Sequence, residues 1–130
     1  MNIVGNGVDI IQNSRIEKSI RNDKFVKRIF TKSEIKNSIK YKNKASYFAK
    51  RFAAKEAFVK SIGTGFRKNI NFIDISVEKN RMGKPMIKLN NKIISFLKKK
   101  YKIKKFEVFL SLADEKKYSI AYVIINKIKS

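Results

Sequence analysis

Two of the ten carboxylates in this 130-residue chain stand where they could do chemistry. Asp9 lies in the run Gly7-Val8-Asp9-Ile10-Ile11, and strand alternation puts Gly5, Gly7 and Asp9 on one face. A carboxylate beside two glycines has little side-chain cover, so another group can approach it closely. The competing role is an N-cap for a helix starting near Asn13, although Asp9 falls one or two residues too early for it. Glu56 lies in a stretch free of Gly and Pro, where helical spacing aligns Ala45, Ala49, Ala53, Glu56 and Lys60. An i,i+4 ion pair with Lys60, worth about 0.3–0.5 kcal/mol, would also account for this carboxylate. Next comes Ser61-Ile62-Gly63-Thr64-Gly65, a lysine-bearing helix end running into a two-glycine loop. Backbone N–H groups in such a loop can face an anion, and Lys60 adds a point charge. The lysine precedes the glycines, so this is no P-loop, and Gly63 could equally serve as a plain C-cap. Two carboxylates, a lysine and a Gly-Thr-Gly loop together suggest Mg²⁺ and a phosphate, because Mg²⁺ is held by one or two carboxylates plus phosphate and water.

The remaining acids read as ordinary. Asp74 and Glu78 fall on the polar side of an alternating strand, which predicts solvent exposure. Glu17, Asp23, Glu34 and Glu115 sit among basic and polar residues, and Glu107 on a strand is uninformative. The chain has no Cys and no His. Disulfides, thiol nucleophiles, zinc centres and an imidazole base are thereby excluded. No apolar run is long enough to span a membrane and no signal peptide is visible, so a cytoplasmic location is expected. The net charge of +22 calls for an anionic partner without naming one. Abundant Lys, Asn and Ile throughout the chain account for part of it.

The elements that must position these residues follow from periodicity. A strand is predicted over residues 2–11, then a helix from Asn13 to Ile29 broken near Arg21-Asn22-Asp23. Thr31-Lys32-Ser33-Glu34 forms a capping-box pattern opening a short helix to about Tyr41. A longer helix spans Lys44 to Ile62 and stops at Gly63. Its Phe48, Phe52, Val59 and Ile62 widen the apolar face, interrupted by Lys55, so this helix is packed on more than one side, possible partners being its own domain and another subunit. Strands are predicted over 73–79 and 86–89, a basic amphipathic helix from Asn90 to Tyr101, and a hairpin of 106–113 and 118–126 around Asp114-Glu115-Lys116-Lys117. Helices interrupt short strands without a βα period, so the fold class is α+β, with helices packed on an antiparallel sheet in a single domain over 1–130.

The motifs Gly7-Val8-Asp9-Ile10-Ile11 and Arg51-Phe52-Ala53-Ala54-Lys55-Glu56-Ala57-Phe58-Val59-Lys60-Ser61-Ile62-Gly63-Thr64-Gly65 resemble the paired signature of the holo-acyl-carrier-protein synthases. These are the small 4′-phosphopantetheinyl transferases. The likeness continues through Arg15-Ile16-Glu17, Asn80-Arg81-Met82-Gly83-Lys84-Pro85 and Ser111-Leu112-Ala113-Asp114-Glu115. It implies transfer of phosphopantetheine from coenzyme A to a serine of apo-acyl carrier protein, with release of adenosine 3′,5′-bisphosphate. It further implies Asp9 and Glu56 as Mg²⁺ ligands, Lys60 against the diphosphate, and Glu56 as an aid to serine deprotonation. Lys44, Arg51, Phe52, Lys60, Ser61, Gly63, Thr64, Gly65, Gly83, Lys84 and Pro85 would line the coenzyme A site. Arg15, Arg21, Phe25 and Arg28 would meet the carrier protein, and the resemblance implies a homotrimer with active sites between subunits. One departure stands out, because Asp114 occupies the place where many members carry His. An anionic side chain there cannot donate a charged hydrogen bond to phosphate. The rival from another class is a small basic nucleic-acid-binding domain, suggested by the charge and by Lys98-Lys99-Lys100-Tyr101-Lys102.

Overall fold

The computed structural model describes residues 2–66 and 69–129. Strand β1 (Asn2–Gln12) leads into helices α1 (Asn13–Ser19), α2 (Asp23–Ile29) and α3 (Lys32–Asn37). A 3₁₀ turn (Ser38–Lys40) precedes the long helix α4 (Lys44–Ser61). A second 3₁₀ turn (Phe72–Asp74) precedes the strand pair β2 (Ile75–Lys79) and β3 (Pro85–Leu89), then helix α5 (Asn91–Tyr101) and the hairpin β4 (Lys105–Asp114) and β5 (Tyr118–Ile128). The order β1-β5-β4 makes a three-stranded antiparallel sheet, and β2-β3 make a second antiparallel pair.

The local chemistry explains most boundaries. Asn22 caps α2 by accepting from the amides of Lys24 and Phe25, which breaks the expected 13–29 helix where the sequence placed the interruption. The Thr31/Glu34 capping box forms with both hydrogen bonds in place. Helix α3 is shorter than expected, because its last turn tightens into the 3₁₀ segment before Tyr41. Gly63 adopts φ +73° just past α4, a backbone state that favours glycine.

Helix α4 lies across the inner face of the three-stranded sheet, against β1 and β5, with α1 and β2 on its flanks. Its Ala49, Ala53, Ala54 and Ala57 are fully buried. Small residues on both sides allow close contact. A Cβ built on Gly7 would stand 2.0 Å from the Ala57 carbonyl oxygen, and one built on Gly5 would stand 2.0 Å from that of Ser61. The glycines beside Asp9 therefore admit the backbone of α4 itself.

Among the described residues no helix is long and apolar enough to cross a membrane. The over-apolar character of α4 is used up inside one subunit. An uncovered apolar patch lies on the outer face of the sheet, where Val8 (54% exposed) and Ile10 (59% exposed) lie beside Tyr122 and Ile120 of β5.

Gly7→Ala is expected to lower stability by about 3 kcal/mol, since the new methyl meets a helix backbone that cannot rotate away. Gly63→Ala, with open space around it, should cost only about 1 kcal/mol through its positive φ. Denaturant midpoints of the two variants check the difference.

Candidate active site

The close contact of β1 and α4 brings the two singled-out carboxylates together. Asp9 projects from β1 toward α4, and its Oδ1 accepts from the Lys60 Nζ at 3.0 Å. The same ammonium donates to the Val8 carbonyl at 3.2 Å. Glu56 lies one turn back along α4 and is half-buried. Burial, and then the negative charge of Asp9, hold the Glu56 carboxyl above its ordinary range, while Lys60 pulls the other way. Lys60 thus pairs across the fold with Asp9, where the sequence also allowed a local pair with Glu56. Asp9 does not cap α1, whose N-cap position is Gln12.

This donor set fits a hard divalent cation. Burial and the charge of Asp9 raise the cost of ionising Glu56, and the exposed ammonium of Lys60 offsets that cost only in part. Among the described residues no cluster of three or more potential ligating side chains forms, so further ligands would be water or substrate oxygen. Gly63, Thr64 and Gly65 follow directly, with nothing within 4 Å of a Cβ built on either glycine.

A second feature lies one to two turns toward the N-terminus of α4. A cleft of about 230 Å³ opens between α4, the β2–β3 turn and the end of β4. Arg51 forms its floor, buried, with its guanidinium carbon 3.6 Å from the centre of the Tyr47 ring. Its Nη1 donates to the Tyr47 carbonyl at 3.1 Å, whereas its buried Nε has no hydrogen-bond partner among the described residues. Lys50, Lys79, Gly83 and Pro85 also line the cleft. Tyr41 sits between Lys79 Nζ at 4.8 Å and the Arg51 guanidinium at 5.5 Å. Burial alone would raise the Tyr41 phenol, but Lys79 and then Arg51 outweigh it and hold the group below its usual value. A buried arginine with a free donor, flanked by two lysines, is suited to an anion.

The other residues singled out from the sequence fall in several places. Lys44 donates to the carbonyls of Ser38 and Tyr41, bracing the segment that carries Tyr41. Phe52 stacks between Phe25 (6.5 Å) and Phe72 (5.5 Å). The buried Ser61 hydroxyl donates to the Phe58 carbonyl. Lys84 is exposed on the β2–β3 turn, while its neighbours Gly83 and Pro85 line the cleft. Arg15, Arg21 and Arg28 are exposed along α1 and α2, and Phe25 is half-buried against Phe30 and Phe52. Asp114 lines the cleft, accepting from the Ser46 hydroxyl at 2.6 Å and lying 3.6 Å from Lys50.

Several acids differ from their sequence reading. Asp74 is buried, because Asn71 and Asn90 donate to its carboxylate and Lys92 pairs with it at 2.7 Å. Glu34 is wholly enclosed and paired with Lys55. Tyr41, Lys50 and Lys79 were missed as cleft residues. The adjacency of Lys50 to Arg51 was the one available signal, since the other two reach the cleft only through folding.

The sequence from residue 5 to residue 123 matches the family described as the 4′-phosphopantetheinyl transferase superfamily. The chain belongs to that family. It is accordingly an enzyme of the transferase class, and the nucleic-acid-binding rival is not favoured. A holo-[acyl-carrier-protein] synthase from Pelagibacter ubique (strain HTCC1062) is 55% identical over 127 residues, covering 98% of this chain and 99% of the relative. The crystal structure of the holo-[acyl-carrier-protein] synthase from Neisseria meningitidis has a TM-score of 0.84 at 34% identity, covering 96% of this chain and 99% of that one. That of a holo-(acyl-carrier-protein) synthase from Bacillus anthracis str. Ames, in complex with CoA (3′,5′-ADP), has a TM-score of 0.80 at 35% identity, covering 98% and 100%. The α+β fold of this transferase is therefore that of the synthases.

The raised Glu56 carboxyl has a consequence for stability. Glu56 binds its proton more tightly folded than unfolded, so stability falls as pH rises from the ordinary glutamate range through the raised value. Glu56→Gln removes that loss. In chelator, this variant is expected to melt above the parent at pH 7, with the gap closing at pH 4. Equal melting temperatures at pH 7 would refute the electrostatic account.

Proposed function

We propose that this enzyme is a cytoplasmic, Mg²⁺-dependent synthase that moves the 4′-phosphopantetheine arm of coenzyme A onto a serine of apo-acyl carrier protein, releasing adenosine 3′,5′-bisphosphate. The observation that carries the reading is the meeting of Asp9 and Lys60 beside Glu56 at the β1–α4 contact. The names of the relatives and the CoA (3′,5′-ADP) complex of the Bacillus anthracis protein support the substrate assignment.

In the reaction, the serine oxygen attacks the phosphorus that bears pantetheine, and the bond from that phosphorus to the bridging oxygen of the diphosphate breaks. When bound, Mg²⁺ would neutralise charge on the diphosphate, which is what phosphoryl transfer chiefly needs. Asp9 and Glu56 would hold it. Glu56 would also take up the proton lost by the serine, directly or through water. Lys60 exchanges part of its contact with Asp9 for the departing diphosphate oxygen. Arg51, Lys50 and Lys79 receive the anionic nucleotide in the cleft, and Gly63, Thr64 and Gly65 present backbone N–H groups to phosphate. Lys44, Phe52, Ser61 and Lys84 act at the edges of this site or through the residues they brace. Asp114, held by Ser46 and Lys50, trims the positive charge of the cleft and offers an acceptor to sugar or base.

The exposed Arg15, Arg21 and Arg28, with Phe25 among them, offer a basic surface to an acidic carrier protein. The apolar outer face of the β1-β5-β4 sheet offers a contact for further copies of this chain, in keeping with a homotrimer that builds active sites between subunits.

Incubation with coenzyme A, Mg²⁺ and apo-acyl carrier protein should add phosphopantetheine to the carrier, read by mass. Asp9→Ala and Glu56→Ala should lower the rate by at least about 100-fold while leaving the chain folded. No added mass with the parent enzyme, where a control synthase succeeds, would defeat the assignment.

Ile10→Lys should convert the trimer to monomer in sedimentation experiments and lower transfer with it. A parent enzyme that sediments as a monomer yet transfers at full rate would refute the shared site.

A further inference from the structure

One buried ion pair takes no part in the proposed chemistry. The side chains of Glu34 and Lys55 are both 0% exposed, and Lys55 Nζ lies 2.7 Å from Glu34 Oε1. The ammonium also donates to the Ile29 carbonyl at 2.7 Å. Oε1 further accepts the Thr31 amide at 2.8 Å, and Oε2 accepts the Val77 amide at 2.7 Å. The end of α2, the start of α3, strand β2 and helix α4 are thus tied to a single pair of charges. Such pairs add little net stability over well-packed apolar side chains, while removal of one partner is strongly destabilising. What this pair supplies is an arrangement.

The arrangement concerns the cleft. Arg51 precedes Lys55 by one helical turn, on the same side of α4. Lys79 follows Val77 by one strand repeat, on the same face of β2. These are the two cations that approach the Tyr41 ring from α4 and from β2. The pair therefore lies one structural repeat away from each wall. A second tie reinforces it, because the Tyr47 hydroxyl donates to the Glu34 carbonyl at 2.5 Å and the Arg51 guanidinium stacks on the Tyr47 ring. Burial pushes the Tyr47 phenol up to about 12, so that donor keeps its proton.

We propose that Glu34 and Lys55 are positioning residues, whose pairing sets the separation of α4 and β2 and so the spacing of Arg51 and Lys79 in the nucleotide cleft. The inference rests on the reading of that cleft as the coenzyme A site.

The test compares the parent with Glu34→Gln, which keeps shape and loses charge, and Glu34→Asp, which keeps charge on a shorter arm. Steady-state kinetics give kcat and KM for each substrate, and calorimetry gives the affinity for adenosine 3′,5′-bisphosphate, all well below each melting temperature. KM for coenzyme A should rise about 10-fold and bisphosphate affinity fall in parallel, with kcat within about 3-fold and KM for the carrier protein unchanged. A lower melting temperature with unchanged KM for coenzyme A and unchanged affinity would make the pair merely structural and overturn the proposal. A fall in kcat alone would overturn it too, by placing the effect on the metal pair. If Glu34→Gln fails to fold, Glu34→Asp decides the matter alone. A parent that transfers nothing defeats the functional reading, and the bisphosphate affinities of parent and variants still decide the role of the pair. A parent that binds no bisphosphate overturns both.

Discussion

The distance between β1 and α4 governs this molecule. A strand carrying Gly5 and Gly7 toward a helix can approach until the helix carbonyls fill the space where Cβ atoms would stand. Any side chain at either position forces the two elements apart. The small residues on α4 matter for the same reason, and Ala57 is buried at the contact. Only at this separation can Asp9, on the strand, reach the ammonium of Lys60, on the helix. The meeting of Asp9, Lys60 and Glu56 is thus a consequence of backbone proximity between β1 and α4.

Helix α4 carries charge on several sides, and each charge answers to a different neighbour. Lys55 turns inward to Glu34, Glu56 turns toward Asp9, and Arg51 lies over the Tyr47 ring. Successive residues of a helix point about 100° apart, so adjacent Lys55 and Glu56 face unrelated surroundings. One is enclosed beside the second sheet and the other opens onto the strand. A single 18-residue helix thereby carries Glu56 and Lys60, the Arg51 floor of the cleft and the buried Lys55 on one rigid element.

The surface divides the same way. Most of the +22 charge lies on solvated lysines, which raise the local concentration of any polyanion without choosing among them. Other cations are held in place by partners. Arg51 is held by Tyr47, Lys60 by Asp9 and Val8, and Lys50 lies against Asp114. The apolar patch of Val8, Ile10, Ile120 and Tyr122 breaks the charged surface on the outer face of the sheet.

The amino-acid sequence by itself determined the element order, the capping box at Thr31, the stop at Gly63 and the hairpin at Asp114, because each depends on residues within a few positions of one another. It also marked Asp9, Glu56 and Lys60, through glycine neighbours, helical spacing and motif likeness. What it misjudged shares one cause. Asp74 looked exposed by its alternating pattern and Glu34 ordinary among its basic and polar neighbours, yet both are buried with partners 16 to 43 residues away along the chain, such as Val77 for Glu34 and Asn90 for Asp74. Likewise the wide apolar face of α4 left open which neighbours cover it, and in the fold its own sheet lies against it while the outer face of that sheet is bare. Strand pattern reports which side a residue takes and not what covers that side. Only the tertiary structure decided whether Lys60 turned to Glu56 or to Asp9. Two carboxylates lay within its reach, one along the helix and one across the glycine gap, and the ammonium took the strand carboxylate because the backbones come close enough to present it.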